Sequence, residues 1–141
     1  MNDKIFTDTN FIIYLFSTSE PEKRIRCRKL YDLFNTREIL VWSTQVIQEF
    51  TNVQINKYKI DPRTIKEFID YFGTFELVTN TKEIILHAID IQMINQLSFW
   101  DSLIVAAAKS ANCNIILSED MNHGQKIEGI LIQSPFKMEI S

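Results

Sequence analysis

The chain has 141 residues, 45% of them apolar and 23% charged, with three Gly and three Pro. That length, within the ~100–200 residues of a typical domain, predicts one domain over residues 1–141, and ten Phe exclude a disordered or collagen-like chain. Fifteen basic and 18 acidic side chains leave a net charge of −3, so charge alone carries no footprint of nucleic-acid binding.

Cys27 and Cys113 are too few for a disulfide framework and, lying in apolar helical stretches, read as buried free thiols. The longest strictly apolar run, Leu103 to Ala108, is too short to span a bilayer. Asp3, Lys4 and Asp8 stand where a signal peptide would be apolar. The expectation is a soluble, cytoplasmic protein with no membrane partner.

Short apolar strands alternate with longer helical stretches. Lys4 to Thr7 reads as a first strand, and Asn10 to Phe16 as one or two helical turns. Pro21, suited to a first helical turn, opens a helix to Phe34 on which Ile25, Leu30, Leu33 and Phe34 lie near helical spacing. Ile39 to Trp42 is a strand. Ser43 or Thr44 caps a helix to about Tyr58 with Val46, Ile47, Phe50 and Val53 on one face. Asp61-Pro62 starts another helix, through about Phe72, which Gly73 ends. Phe75 to Val78 is a strand, and Thr81 to Asn95 a helix with Ile84, Ile85, Ala88 and Ile91 inward. Ser98 to Asn112 is the most apolar helix, Asn114 to Leu117 a strand, and Gly129 to Ile132 the last. Such alternation predicts an α/β fold with a mostly parallel sheet covered on both faces. Ligands bind such sheets outside the carboxyl ends of their strands, so residues just after each strand are the ones to inspect.

Four carboxylates stand at suggestive places. Asp8 follows the first strand and Asp120 follows the Ile115–Leu117 strand. Each alone is equally a helix N-cap; together they mark one sheet edge. Ser98 to Asp101 fits a capping box with Asp in place of Glu or Gln. Asp101 also heads the inward stripe Ile104, Val105 and Ala108, and an ionised carboxylate there needs a partner or a metal. Glu49 lies roughly 40° from Val53 and 60° from Val46 around the helix, at the border of the apolar face, where an ordinary boundary glutamate also sits. Converged carboxylates repel, and a hard divalent cation relieves that repulsion. Such an ion also lowers the pKa of water and orients a phosphate for in-line displacement. No nucleophile–base pair, Cys/His zinc spacing, Gly-rich phosphate loop or Gly-x-Ser-x-Gly elbow competes.

Phe6-Thr7-Asp8-Thr9-Asn10, Ser43 to Phe50, Ser98 to Ile104 and Leu117 to Gly124 together resemble the PIN-domain family, in family order and over nearly the whole chain, with VapC-type toxins of toxin–antitoxin pairs most similar. The resemblance implies a three-layer α/β/α sandwich and an Mg²⁺- or Mn²⁺-dependent endoribonuclease in which a metal-activated water hydrolyses RNA phosphodiesters. It maps Asp8, Glu49 and Asp101 onto the acidic triad and Asp120 onto the fourth acidic position. It gives supporting roles to Thr9, Asn10, Ser43 and Ser118, and leaves Glu119 peripheral. It also implies an antitoxin partner and a homodimer.

Other features keep two readings. Lys23, Arg24, Arg26, Arg28 and Lys29 form a basic cluster that reads as a solvated face, as an RNA-backbone contact, or as an antitoxin contact. Trp42, Trp100 and the Phe residues read as core rather than as base-stacking platforms. His87 reads as a partly buried structural residue, and His123 as a surface or capping residue close enough to Asp120 to touch a phosphate. Ile12, Tyr14 and Leu15 fit either a partner surface or the core. A non-catalytic PIN-like binding module and a different Mg²⁺-dependent phosphohydrolase are the competing functions. A phospho-accepting receiver would show adjacent acids after the first strand and a Lys after a late one, and Thr7-Asp8-Thr9 and Ser118-Glu119-Asp120 show neither.

Overall fold

The computed structural model of the chain describes residues 3–139, with Thr74 described by its backbone alone. The elements run β1 (Ile5–Thr7), α1 (Thr9–Tyr14), α2 (Pro21–Asn35), β2 (Leu40–Ser43), α3 (Thr44–Asn56), α4 (Pro62–Tyr71), β3 (Glu76–Val78), α5 (Lys82–Asn95), α6 (Phe99–Ser110), β4 (Ile115–Leu117), β5 (Lys126–Ile127) and β6 (Ile130–Gln133). One sheet has the order β3-β2-β1-β4-β6-β5, parallel throughout except for the β5–β6 pair, and helices flank it in the three-layer α/β/α arrangement.

The chain builds outward from β1 to β2 and β3 on one side, then returns to β4 and β6 on the other. The strand order therefore reverses beside β1, and the crevice at such a switch point opens at the carboxyl ends of β1 and β4. Register aligns Thr7 with Leu117, so the residues just after them, Asp8 and Ser118, emerge side by side.

Burial follows the layer logic. Phe6, Val41, Ile116 and Ile132 from four neighbouring strands are fully buried. Parallel strands covered on both faces read as continuous apolar runs for this reason. Ser102 to Ala108 of α6 are all buried, as expected of a helix apolar all round. Trp42 packs against Phe72 and Phe75 in an aromatic cluster completed by Tyr31. Cys27 and Cys113 are buried free thiols, and burial pushes each up to about 12. Ile12 and Leu15 belong to this core, while Tyr14 is half-buried.

Three departures have physical causes. β5 and β6 form a hairpin whose two-residue turn, Glu128-Gly129, has positive φ at both positions (54° and 79°). That geometry is the mirror turn matched to strand twist, and Gly supplies its second position without strain; the pairing of Lys126 and Ile127 was not expected from two residues. α4 stops at Tyr71, close to the expected end, but the chain keeps turning through Gly73. Gly73 lies inside a 3₁₀ turn, Phe72–Thr74, whose Phe72 anchors the aromatic cluster. Ile85 is exposed rather than inward, because Ala88 and Ile91 define the buried face of α5.

Candidate metal centre

Each acidic side chain is placed by the element it starts or rides on. Asp8 caps α1, its Oδ1 accepting from the Thr9 N–H at 2.7 Å. Its Oδ2 accepts from Ser118 Oγ at 2.9 Å, across the β1–β4 seam. Asp101 stands in the first turn of α6, its N–H donating to the Ser98 cap at 3.0 Å, which bears out the capping spacing. Glu49 rides on α3 one turn after Gln45. Its Oε2 accepts from Thr9 Oγ1 and its Oε1 from Gln45 Nε2, both at 2.8 Å. Asp120 follows β4, and its Oδ2 accepts from Asn10 Nδ2 at 2.7 Å.

These four carboxylates line one cavity of about 280 Å³ together with Thr9, Asn10, Gln45, Asn52 and Trp100, over apolar side chains of Ile13, Val53 and Ile104. The electrostatics record the convergence. Burial, reinforced by the facing charges of Glu49 and Asp101, raises the Asp8 carboxyl to about 6 against the hydrogen bonds from Thr9 and Ser118. Asp101 is also raised, first by burial and then by the charges of Asp120 and Glu49, with Ser98 acting in the opposite direction. A larger, mostly apolar cavity of about 400 Å³ between Leu15, Phe16, Tyr31 and Tyr71 shares no residue with the acidic one; it holds two carboxylates, Asp32 and Glu67, together with the cationic Arg28, against four carboxylates in the acidic cavity.

The residues fit a hard divalent cation. Carboxylate oxygens are the donors that Mg²⁺ and Mn²⁺ prefer, and a cation would offset both the burial that chiefly raises Asp8 and the facing charges that add to it. Among the described residues no group of three or more Asp, Glu, His or Cys closes into a ready-made cage. Mg²⁺ is commonly held by one or two carboxylates and keeps several waters, which this arrangement suits.

Other expected residues lie outside the cavity. Ser43 is fully buried and caps α3 through the Val46 N–H at 3.4 Å, so it acts on Glu49 only through the helix. Glu119 turns away, accepting from Tyr14 at 2.5 Å and Lys23 at 2.8 Å. Burial works upward on its carboxyl, but the hydrogen bonds from Lys23 and Tyr14 hold it below its ordinary value. His123 Nδ1 accepts the Ser134 N–H at 3.0 Å, and His87 meets Glu128 at 2.6 Å. Arg24, Arg26 and Arg28 sit on α2 and donate to the backbone carbonyls of Ser17, of Pro135 and Met138, and of Leu15.

One expectation is corrected. Trp42 is core, at 2% exposure, but Trp100 is 62% exposed and forms part of the cavity wall. In α6 the buried stretch begins at Ser102, so Trp100 falls at the helix's solvent-facing start. Gln45 and Asn52 are also in the wall. Their positions one turn before Glu49 and three residues after it were the available signal.

A sequence profile of the PIN domain matches residues 5–126. No curated protein shows significant sequence similarity to the chain. Among solved structures, a toxin–antitoxin complex from Klebsiella pneumoniae superposes with a TM-score of 0.72 at 19% identity, over 96% of this chain and 100% of that one. DNA-bound VapBC from Salmonella typhimurium gives 0.69 at 17% identity, over 94% and 98%. The sarcin-ricin loop cleaving toxin VapC20 of Mycobacterium tuberculosis gives 0.68 at 15% identity, over 83% and 92%. At these identities the superpositions speak to fold, and with the profile covering most of the sequence they agree on one conclusion: this chain belongs to the PIN-domain family.

Proposed function

We propose that the chain is an Mg²⁺- or Mn²⁺-dependent endoribonuclease and the VapC-type toxin of a toxin–antitoxin pair. The observation that carries this reading is the single cavity lined by Asp8, Glu49, Asp101 and Asp120 at the carboxyl edge of the sheet. One or two of the four would hold the cation directly and the others through its waters; when bound it offsets their charge, orients an RNA phosphate and lowers the pKa of water.

The chain's own residues aim the ligands. Thr9 and Ser118 fix Asp8, Thr9 and Gln45 fix Glu49, and Asn10 fixes Asp120. Outer contacts of this kind set ligand orientation, and their loss typically lowers metal affinity or activity by about 10–100-fold. The apolar side chains of Ile13, Val53 and Ile104 limit water around the acids and strengthen their interactions.

The similar folds support the biological setting. The Klebsiella structure is a toxin–antitoxin complex, and the Mycobacterium protein is a toxin that cleaves the sarcin-ricin loop. The same reading assigns an antitoxin partner, an RNA substrate and a cytoplasmic location; among the described residues no helix is long and apolar enough to cross a membrane. Leu86, Ile89 and Met93 form an exposed apolar row at helical spacing on α5, which supports a homodimer. A Leu86→Lys/Met93→Lys chain sedimenting as the parent does would remove that assignment. Among the described residues Arg24, Arg26 and Arg28 have N–H groups beyond those in their carbonyl contacts, since a guanidinium carries five, and these are offered to the RNA backbone.

The test is incubation of the purified chain with total cellular RNA, with Mn²⁺ or with EDTA. Discrete cleavage that requires the cation is expected. A folded, cation-loaded chain that leaves every RNA intact would point to the non-catalytic binding module.

A further inference from the structure

Trp100 is the second residue of α6 and is 62% exposed, while its neighbour Asp101 lines the acidic cavity. Trp is well buried on average, so an exposed indole beside carboxylates calls for a ligand. Trp100, Gln45, Glu49 and Asn52 line the acidic cavity, and the same four with Gln48 line an adjoining cavity of about 400 Å³. The indole therefore stands between the acids and a second recess.

The recess is rimmed by amides. Gln48 and Asn52 are one turn apart on α3 and exposed. Asn52 Oδ1 accepts from Asn56 at 2.6 Å, which leaves its Nδ2 to donate elsewhere. Gln45 is 5% exposed. Its Nε2 donates to Glu49 Oε1 at 2.8 Å and to the Trp100 carbonyl at 3.4 Å, while its Oε1 is buried without a donor. Turning that amide over would set Oε1 against two acceptors, so its orientation is fixed. Gln45 thus ties the backbone under the indole to a carboxylate of the acidic set.

We propose that Trp100 is a nucleobase-stacking residue, and that the base next to the phosphate at the acidic cavity lies on its indole with the Gln48 and Asn52 amides at the base edge. Stacking on an exposed aromatic is the sequence-tolerant way to hold an unpaired base, and side-chain amides match the donors and acceptors of its edge. The inference rests on the endoribonuclease reading and deepens it: the RNA is unstacked where it is cut.

Two Trp in the chain make the test direct. Trp42 is 2% exposed, so iodide-quenchable emission reports Trp100. In the Asp8→Asn chain with Mn²⁺, a short oligoadenylate is expected to quench that emission and shield it from iodide. A ribose-phosphate chain of the same length without bases is expected to do neither. With the active chain, Trp100→Ala should raise KM for the oligonucleotide roughly tenfold, the scale of one lost base–aromatic stack, with kcat within about twofold. Trp100→Phe should restore most of the loss. Equal responses to the base-bearing and base-free chains, or an unchanged KM in Trp100→Ala, would overturn the proposal. So would iodide protection that grows with protein concentration without RNA, which would assign the indole to a second copy of the chain. Absence of cleavage by the parent chain in Mn²⁺ strikes the nuclease reading instead, and the fluorescence titration, which needs no turnover, still decides Trp100.

Discussion

Ser118 Oγ donates to Asp8 Oδ2 at 2.9 Å, joining the residues that follow two adjacent parallel strands. The same oxygen accepts the Met121 N–H at 3.3 Å, so one hydroxyl fixes both a buried carboxylate and the turn carrying Asp120. Ser118→Ala removes both bonds. It should cost about 1–3 kcal/mol of stability, the scale of stranded buried polar groups. Without that donor the Asp8 carboxyl rises further. The acidic limb of the pH–rate profile should therefore move to higher pH, with cleavage reduced about 10–100-fold as for outer-shell losses generally. A limb that stays in place would contradict the role assigned to the hydroxyl.

Asp8 makes the cation-free protein sensitive to pH. Its carboxyl rises from 3.8 to about 6, chiefly by burial. Because the folded value is the higher one, the folded chain binds the proton more tightly than the unfolded chain. This contribution to stability is fully present below pH 3.8 and is lost as pH rises through about 6. At 1.36 kcal/mol per unit, the loss is about 3 kcal/mol in order of magnitude. Asp8→Asn keeps the shape and removes the charge, so without divalent cations it should unfold at a higher temperature than the parent at pH 7, with the gap closing toward pH 4. Mn²⁺ should stabilise the parent far more than the variant. Calorimetry across that pH range checks both, and an Asp8→Asn chain no more stable than the parent at pH 7 would contradict the burial argument.

Arg26 ties α2 to the carbonyls of Pro135 and Met138 near the end of the described chain. Arg26→Ala should cost about 1–3 kcal/mol, since charged donors make the stronger hydrogen bonds and two acceptors lose one. The proposed function also gives this side chain a contact with RNA. Replacing Arg24, Arg26 and Arg28 together by Gln should flatten the salt dependence of RNA binding, by a slope of about 0.7 for each phosphate contact on a single strand. Destabilisation with an unchanged slope would confine the three arginines to structure.

The sheet and its acids were legible for one physical reason. Strands buried on both faces are short apolar runs, and a carboxylate directly after such a run stands at the edge where a parallel sheet binds ligands. Ile5–Thr7 with Asp8, and Ile115–Leu117 with the nearby Asp120, show both features without structural information. Glu49 was harder, because spacing places it only at the border of an apolar face. Its clamp by Thr9, 40 residues away in sequence, is a tertiary fact. Trp100 was misread because the rule that Trp is buried carries no knowledge of where α6 enters the core. The β5–β6 hairpin escaped because two strand residues give no periodicity, although its Glu-Gly turn was written in the chain.

The central claim is that the acidic cavity cleaves RNA with a bound cation. The most direct measurement compares initial cleavage rates of the parent, Asp8→Asn and Asp101→Asn chains on one RNA at saturating Mn²⁺, with circular dichroism and RNA affinity measured on the same samples. The account predicts that each substitution lowers the rate by more than roughly 100-fold, beyond the loss expected of an outer contact, while fold and RNA affinity persist. Either variant cleaving at the parental rate would contradict it.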